Sequence, residues 1–121
     1  MFTDRELDVM SILWRKGSAT VAEVRAELPD ALAYTSVLSA LQTLESKGYV
    51  RHEAEGRAYR YHPLVEPGEA GRSAISRILD KVYHGSAELL LAQLVSGRRI
   101  PDSELKRMRG LLEDAERRKG R

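Results

Sequence analysis

Short hydroxyl and amide side chains are concentrated in one segment, residues 33–47. They donate and accept hydrogen bonds, and their small size lets a backbone come close to phosphates and base edges. Hydroxyl residues form helices poorly, so solubility alone would favour Glu and Lys here. A tolerated polar surface is the alternative interpretation. This polar face consists of Thr35, Ser36, Ser39, Gln42, Thr43 and Ser46.

Basic side chains follow directly after the polar face, up to Arg60. Guanidinium and ammonium groups neutralise DNA phosphates, and these contacts supply the salt-dependent part of DNA affinity. Glu53 and Glu55 lie among them, and pairing of Arg57 with either acid is the alternative to a DNA contact. We expect DNA contacts from Thr35, Ser36, Ser39, Gln42, Thr43, Lys47, Arg51 and Arg57.

An amphipathic helix and a hairpin would position these groups. Gly48 ends the helix, because glycine adopts left-handed conformations without a side-chain penalty. Tyr- and Val-rich residues 49–54 and 57–62 predict two strands that turn at Glu55-Gly56, with Arg57 at the tip. The buried stripe of the helix is Val37, Leu38, Leu41 and Leu44, at three-and-four spacing. The predicted register pairs Ala54 with Arg57, His52 with Tyr59 and Val50 with Tyr61.

Two capping boxes upstream predict helix starts. Thr3 with Glu6, and Thr20 with Glu23, have the spacing at which hydroxyl and carboxylate bond each other's backbone N–H groups. Residues 19–20 predict a minimal strand. The first helix should bury Leu7, Met10, Leu13 and Trp14, and the second Val21, Val24 and Leu28. The order of these elements is a helix, a short helix, an amphipathic helix and a hairpin. This order predicts a winged helix-turn-helix head over residues 1–64, mainly α with a small β-hairpin.

Beyond residue 64 the chain has more apolar helix faces than a small head can bury. A connector over residues 64–71 should lead into a helix over 69–84, followed by helices over 87–95 and from about Pro101. These faces are expected to bury one another across the two-fold axis of a homodimer, with a monomeric helical subdomain as the alternative. The predicted dimerisation residues of this helical arm, residues 65–121, are Ile75, Ile78, Leu79, Val82, Leu90, Leu94, Leu105, Met108 and Leu112.

The composition restricts the class of protein. A chain of 121 residues with formal charge +2 and no cysteine forms one small domain, or a domain with an arm, without disulfides or thiolate metal sites. No apolar run could span a bilayer and the first residues do not predict a signal peptide, so we expect a cytoplasmic protein without direct membrane binding. Residues 1–62 hold eight Lys/Arg and nine Asp/Glu. Phosphate affinity per subunit should therefore be modest, which favours a dimer.

Other functional classes have weaker support in the sequence. His52, His62 and His84 lack a metal-binding spacing, and no glycine-rich phosphate loop or nucleophile elbow occurs, so we expect neither an enzyme nor a cofactor. A sensor that binds metal through His and carboxylates is one alternative. A winged helix used only for protein contacts is another, but it would expose apolar residues where residues 33–47 carry Ser, Thr and Gln.

A series of short motifs runs through the chain in a fixed order. They are ELDVM at 6–10 with LW at 13–14, TVAEV at 20–24, AYTSVL at 33–38, LESKGYV at 44–50, EGRAYRY at 55–61 and YHGS at 83–86. Through them the chain, from Thr3 to about Glu116, resembles the penicillinase-repressor family of bacterial regulators (the BlaI/MecI/CopY type). Each motif is weak alone, but their shared order is specific.

The resemblance implies a homodimeric repressor with a winged-helix head and a helical dimerisation arm, bound to pseudo-palindromic operators. It also implies a membrane-bound zinc peptidase sensor, and release of repression when the arm is cleaved. We expect the cut within residues 84–91, where Gly85-Ser86 interrupts the helices. Many members carry Arg or Lys at positions matching Gln42 or Thr43, so the operator sequence does not carry over. The absence of cysteine excludes the thiolate copper site of one branch.

Overall fold

The computed structural model describes residues 2–120 and divides the chain into two compact units, one up to Ser76 and one from Arg77 onwards. The elements are α1 Asp4–Lys16, β1 Ala19–Thr20, α2 Val21–Glu27, α3 Tyr34–Ser46, β2 Val50–Glu55, β3 Ala58–Pro63, α4 Pro67–Lys81, α5 Ala87–Gly97 and α6 Asp102–Lys119. The strands form an antiparallel sheet in the order β1-β3-β2. This mainly helical fold, with three helices followed by a hairpin in its first unit, is a winged helix, as predicted.

Both predicted capping boxes are confirmed. In α1 the Glu6 N–H donates to the Thr3 hydroxyl at 3.1 Å, and the Thr3 N–H donates to the Glu6 carboxylate at 2.8 Å. Thr20 and Glu23 make the same pair of bonds at the start of α2. The minimal strand β1 is also confirmed, and it pairs with β3. These local bonds satisfy N–H groups that a helix start would otherwise leave unpaired.

The core of the first unit forms where three helices meet the sheet. Its buried apolar residues are Val9, Met10, Ile12, Leu13, Ala19, Val21, Val24, Leu28, Val37, Leu41, Leu44, Val50 and Tyr61. Leu38 and Trp14 pack against this cluster and are partly buried. The prediction that Leu7 is buried is wrong, because 36% of it is exposed. Glu6 takes the inward position instead and shares its helix face with Val9, Met10 and Leu13, three, four and seven residues later.

The predicted hairpin register is wrong by two residues along the partner strand. The strands pair Val50 with Pro63, His52 with Tyr61, Ala54 with Tyr59 and Glu55 with Ala58. The turn is therefore Gly56-Arg57, with a Gly56 φ of 61°. A hairpin turn that needs positive φ at its first central position favours glycine there, whereas the predicted turn put Glu55 in that place. Arg57 still lies at the tip.

The helices beyond the sheet differ from the prediction in their bounds. Helix α4 begins at Pro67, because the fixed φ of proline suits a first helical position, and it includes Gly68 and Gly71. It ends at Lys81 rather than His84. His84 and Gly85 have positive φ values of 52° and 82°, and Ser86 caps α5 by accepting from the Leu89 N–H.

The two α1 leucines provide a test of the packing. Leu13→Ala should lower the free energy of unfolding by about 2–5 kcal/mol, because Leu13 is fully buried. The matched change Leu7→Ala should cost about 1 kcal/mol or less, since this side chain already contacts water. Urea denaturation measures both. Equal losses would show that α1 faces the core differently.

Candidate nucleic-acid interface

Helix α3 presents its polar face to solvent. Thr35, Ser36, Ser39, Gln42, Thr43 and Ser46 are all exposed, while Val37, Leu41 and Leu44 on the other side are buried. The Thr43 hydroxyl donates to the Ser39 carbonyl at 3.0 Å, so its methyl group and lone pairs are what it offers outwards. Burial of one face therefore leaves a row of short hydrogen-bonding groups along the other, and a major groove is wide enough to admit an α-helix.

The start of α3 differs from the starts of α1 and α2. Its N-cap residue is Ala33, which has no side-chain cap, and its first turn contains no acidic residue. The first N–H groups of a helix carry partial positive charge and attract anions. Thr35 and Ser36 stand in this turn, so an incoming phosphate would meet both hydroxyl groups and uncapped backbone N–H groups.

The end of α3 is held by a buried carboxylate. Lys47 Nζ donates to both oxygens of Glu6, at 2.8 and 3.0 Å, and only 5% of Glu6 is exposed. Burial raises the pKa of Glu6, but the hydrogen bonds from Lys47 and Thr3 outweigh it, so this pKa lies below its ordinary value. Two of the three ammonium hydrogens of Lys47 are thus used inside the protein, which leaves one for an outside acceptor.

Arg57 at the hairpin tip has no ion pair within residues 2–120. The acids considered as its alternative partners lie near other side chains. Glu55 accepts two hydrogen bonds from Arg60 at 3.0 Å, and Glu53 lies 2.7 Å from the His62 ring nitrogen. Arg51 is exposed and lies 3.9 Å from Glu53. The tip therefore carries an exposed positive charge that the hairpin does not neutralise.

Arg60 has a structural role that its sequence position did not reveal. Its guanidinium also lies 3.1 Å from Glu23 and donates to the Ser18 hydroxyl at 3.3 Å. The side-chain hydrogen bond from Arg60 lowers the pKa of Glu55. Arg60 thus ties the hairpin to the start of α2 rather than pointing outwards, and only the register seen in the structure could have indicated this.

His52 joins the hairpin to α3. Its Nδ1 lies 2.6 and 2.7 Å from the two carboxylate oxygens of Glu45. Its ring packs against Tyr59 and Tyr61, with ring centroids 4.7 and 5.5 Å apart. The predicted register did not find the contact with Tyr61. The contact with Glu45 therefore ties the hairpin to the helix that carries the polar face.

Metal clusters and membrane-spanning helices are both absent from the described residues 2–120. That part of the chain contains no cluster of three or more His, Cys, Asp or Glu side chains that could hold a metal ion. None of its helices combines the length and the apolar character needed to cross a membrane.

Comparisons with known proteins identify bacterial repressors of one family as similar to this chain. The family model described as penicillinase repressor matches residues 2–114. The chain is 24% identical to the penicillinase repressor of Bacillus licheniformis over 119 residues, 97% of this chain and 93% of that protein. It is 22% identical to the methicillin resistance regulatory protein MecI of Staphylococcus aureus (strain N315) over 109 residues, 88% of this chain and 89% of that protein. The solution structure of the DNA binding domain of the repressor BlaI matches with a TM-score of 0.52 and 30% identity, over 57% of this chain and 87% of that chain.

The Glu6–Lys47 pair predicts a specific dependence of stability on pH. Glu6→Gln keeps the size of the side chain but removes its charge, and should lower the free energy of unfolding at pH 7 by about 1–3 kcal/mol. The folded-state pKa of Glu6 lies below the ordinary 4.5, so its stabilisation is complete above that value and is lost as the pH falls through the folded-state pKa.

The difference between wild type and Glu6→Gln should therefore shrink in urea titrations as the pH decreases below about 4.5. Glu27→Gln is the matched control, because Glu27 makes only exposed ion pairs with Arg15 and Lys16. Such exposed pairs contribute about 1 kcal/mol or less. A Glu6→Gln difference that stayed constant down to pH 3 would contradict the assigned pair.

Proposed function

The chain belongs to the penicillinase repressor family, whose members are DNA-binding transcriptional repressors and not enzymes, and on that premise we propose that it acts as a homodimer on a pseudo-palindromic DNA operator. The observation that carries this proposal is the exposed polar face of α3 together with Arg57 at the hairpin tip, which has no ion pair within residues 2–120. Hydroxyl and amide groups can read base edges, while a free guanidinium at a hairpin tip suits a phosphate.

The residues of the interface divide by role. Ser36, Ser39, Gln42 and Thr43 face the major groove in this proposal, and Thr35 binds a phosphate at the uncapped start of α3. Arg51 and Arg57 contact the DNA backbone from the hairpin. Lys47 contributes through its one remaining ammonium hydrogen, so its part is smaller than that of an unpaired lysine.

The helical arm supplies the dimer. In a single chain its apolar residues have too few neighbours: Ile75, Ile78, Val82, Leu94 and Leu112 are exposed, and Leu79, Leu90, Leu105 and Met108 are only partly buried. A groove of about 360 Å³ between α5 and α6 is lined almost entirely by such side chains, Leu91, Val95, Leu105, Met108, Leu111 and Leu112 with Arg109. Exposed apolar surface of this extent marks an interaction site. We assign residues 1–64 to DNA binding and residues 65–121 to dimerisation.

The charge distribution gives an independent reason for a dimer. Because Glu53 and Glu55 offset part of the hairpin's positive charge, one head binds few phosphates strongly. Two heads joined by an arm bind the second half-site at an effective concentration of order millimolar. The proposed dimer thus gains affinity by linkage rather than through a strongly basic surface.

Release of repression follows from the same linkage. Separating the two heads costs on the order of 10²–10⁴ in operator affinity without changing any DNA contact. Within the proposal, a membrane-bound sensor metallopeptidase cuts this cytoplasmic repressor in residues 84–91. His84 has a positive φ of 52°, which is unusual for a residue with a side chain, and it lies outside both neighbouring helices. No cofactor and no direct membrane binding are part of the mechanism.

Arg57 and Gln42 should affect DNA binding in different ways. Arg57→Ala should weaken binding equally for all sequences and reduce the salt dependence by about one ion equivalent. Gln42→Ala should instead change the preferred base, by about 1–3 kcal/mol for a direct contact. Arg57→Lys is the matched control, because it keeps the charge and should keep the salt dependence. Fluorescence anisotropy over a salt series measures these effects, and an unchanged slope in Arg57→Ala would refute the hairpin contact.

Leu94 tests the dimer. Leu94→Glu places a charge in the apolar stripe of α5, so the protein should become monomeric and lose on the order of 10²–10⁴ in affinity for the full operator, with half-site affinity unchanged. Ser96→Glu adds the same charge at another exposed position of α5 and should remain dimeric. Light scattering and gel shifts provide the measurements. A monomeric wild type at micromolar concentration, or a chain cut at Gly85 that binds the full operator normally, would contradict the proposal.

A further inference from the structure

Only three residues connect β3 to α4, and each of them is bonded to its surroundings through the backbone. Such a short segment between a strand and a helix could act as a loose hinge. Here its bonds reach both the head and the first turn of α4. The Leu64 N–H donates to the Tyr49 carbonyl at 2.9 Å, the Trp14 indole Nε1 donates to the Val65 carbonyl at 2.8 Å, and the Glu66 carbonyl accepts from Glu69 and Ala70 at 3.1 and 3.3 Å.

Aromatic side chains support the same junction. The ring of Phe2 packs edge-on to Trp14 with centroids 6.4 Å apart, and against Tyr49 with centroids 4.4 Å apart. Val65 packs against the core, and Ala70 at the end of the first turn of α4 is only 8% exposed. The start of α4 therefore packs against the head. Trp14 on α1 binds Val65, the middle residue of the three that connect β3 to α4.

This anchoring has a mechanical consequence. Helix α4 runs without a break from Pro67 to Lys81 and carries Ile75, Ile78 and Leu79 of the proposed dimerisation set. A linker of three residues without these bonds would leave the start of α4 unattached to the head. The anchored segment is already ordered, and such preorganisation reduces the entropy lost on binding.

We propose that Trp14 is a positioning residue whose indole N–H bond to Val65 sets the spacing between the two half-sites that the dimer accepts. The proposal rests on the dimeric DNA binding proposed above. Trp14 does not itself contact DNA in this scheme: it acts through the junction. Its loss should therefore leave a single head able to bind a half-site and should relax the spacing that two linked heads require.

The test compares the full-length wild type with Trp14→Phe, which keeps an aromatic ring but removes the N–H donor. The probes are the duplex that the wild type selects from a random DNA library, the same duplex with two base pairs inserted at its centre, and a single half-site. Two base pairs move one half-site by about 7 Å and rotate it by about 70°. The wild type should lose on the order of 10²-fold affinity on insertion, and Trp14→Phe less than about ten-fold.

The outcomes distinguish a failure of the dimeric function from a failure of the role of Trp14. Equal wild-type affinity for half-site, selected and lengthened duplexes would refute the dimeric function itself and the proposal that rests on it. A wild type that discriminates spacing beside a folded Trp14→Phe that discriminates equally well would overturn the role of Trp14 alone. A loss of half-site affinity as large as the loss on the selected duplex would also overturn it, since Trp14 would then serve only the fold of the head.

Two controls separate positioning from stability. Ile12→Val truncates a buried side chain of the same helix away from the junction and should keep the spacing preference. Insertion of two glycines between Glu66 and Pro67 leaves Trp14 in place but frees α4, so it should remove the preference even if Trp14→Phe does not fold. Retention of the preference after the insertion would overturn the proposal.

Trp14 is the single tryptophan of the chain, so its indole proton gives one resolved NMR signal in the wild type. The bond to Val65 should slow exchange of this proton with D₂O at least about ten-fold relative to free tryptophan, because exchange requires the hydrogen bond to open. Exchange as fast as in free tryptophan would overturn the assigned anchor.

Discussion

Burial of the α3 stripe is the constraint on which the rest of the first unit depends. Val37, Leu41 and Leu44 are almost fully removed from water against the other two helices and the sheet. Because the side chains of a helix project in all directions, burying one face directs the opposite one outwards. The head is too small to have a second apolar layer, so the rotation of α3, and with it the identity of the exposed groups, is decided by these few contacts.

Polar contacts add to the apolar stripe at the end of α3 and between α3 and the hairpin. Glu6 holds the end of α3 through Lys47, and His52 connects the hairpin to α3 through Glu45. Hydrogen-bonding capacity used in this way is not available to DNA, so that Lys47 keeps only one ammonium hydrogen for an outside acceptor. Selectivity in the proposed interface therefore comes from neutral groups, and Arg51 and Arg57 contribute salt-dependent affinity.

The elements were predictable from the sequence wherever the signal was local. Capping boxes, the glycine stop after α3 and the apolar spacing of α3 depend on neighbours within one or two turns, and they identified the winged-helix order. The hairpin register was mispredicted although its signal is local: the first central position of the turn needs positive φ, which Gly56 tolerates, and the predicted turn placed Glu55 there. The burial of Leu7 was mispredicted because a distant partner is involved: Glu6 occupies the inward position beside Lys47, which is remote in sequence and supplies a counter-charge. The bond from Trp14 to Val65 joins residues 51 positions apart, and no local pattern encodes it.

The half-exposed leucines and isoleucines of the arm have a consequence for the degradation of the protein in a cell. If two chains share those surfaces, the stability of the arm is governed by mass action and falls as the protein is diluted. A chain that lacks a partner exposes apolar surface to chaperones and proteases, whereas this surface is buried in a dimer. Surplus monomer and fragments would then be cleared faster than assembled protein. The exposed arm would thus mark unpaired chains for degradation, and the degradation rate of the protein would depend on its concentration.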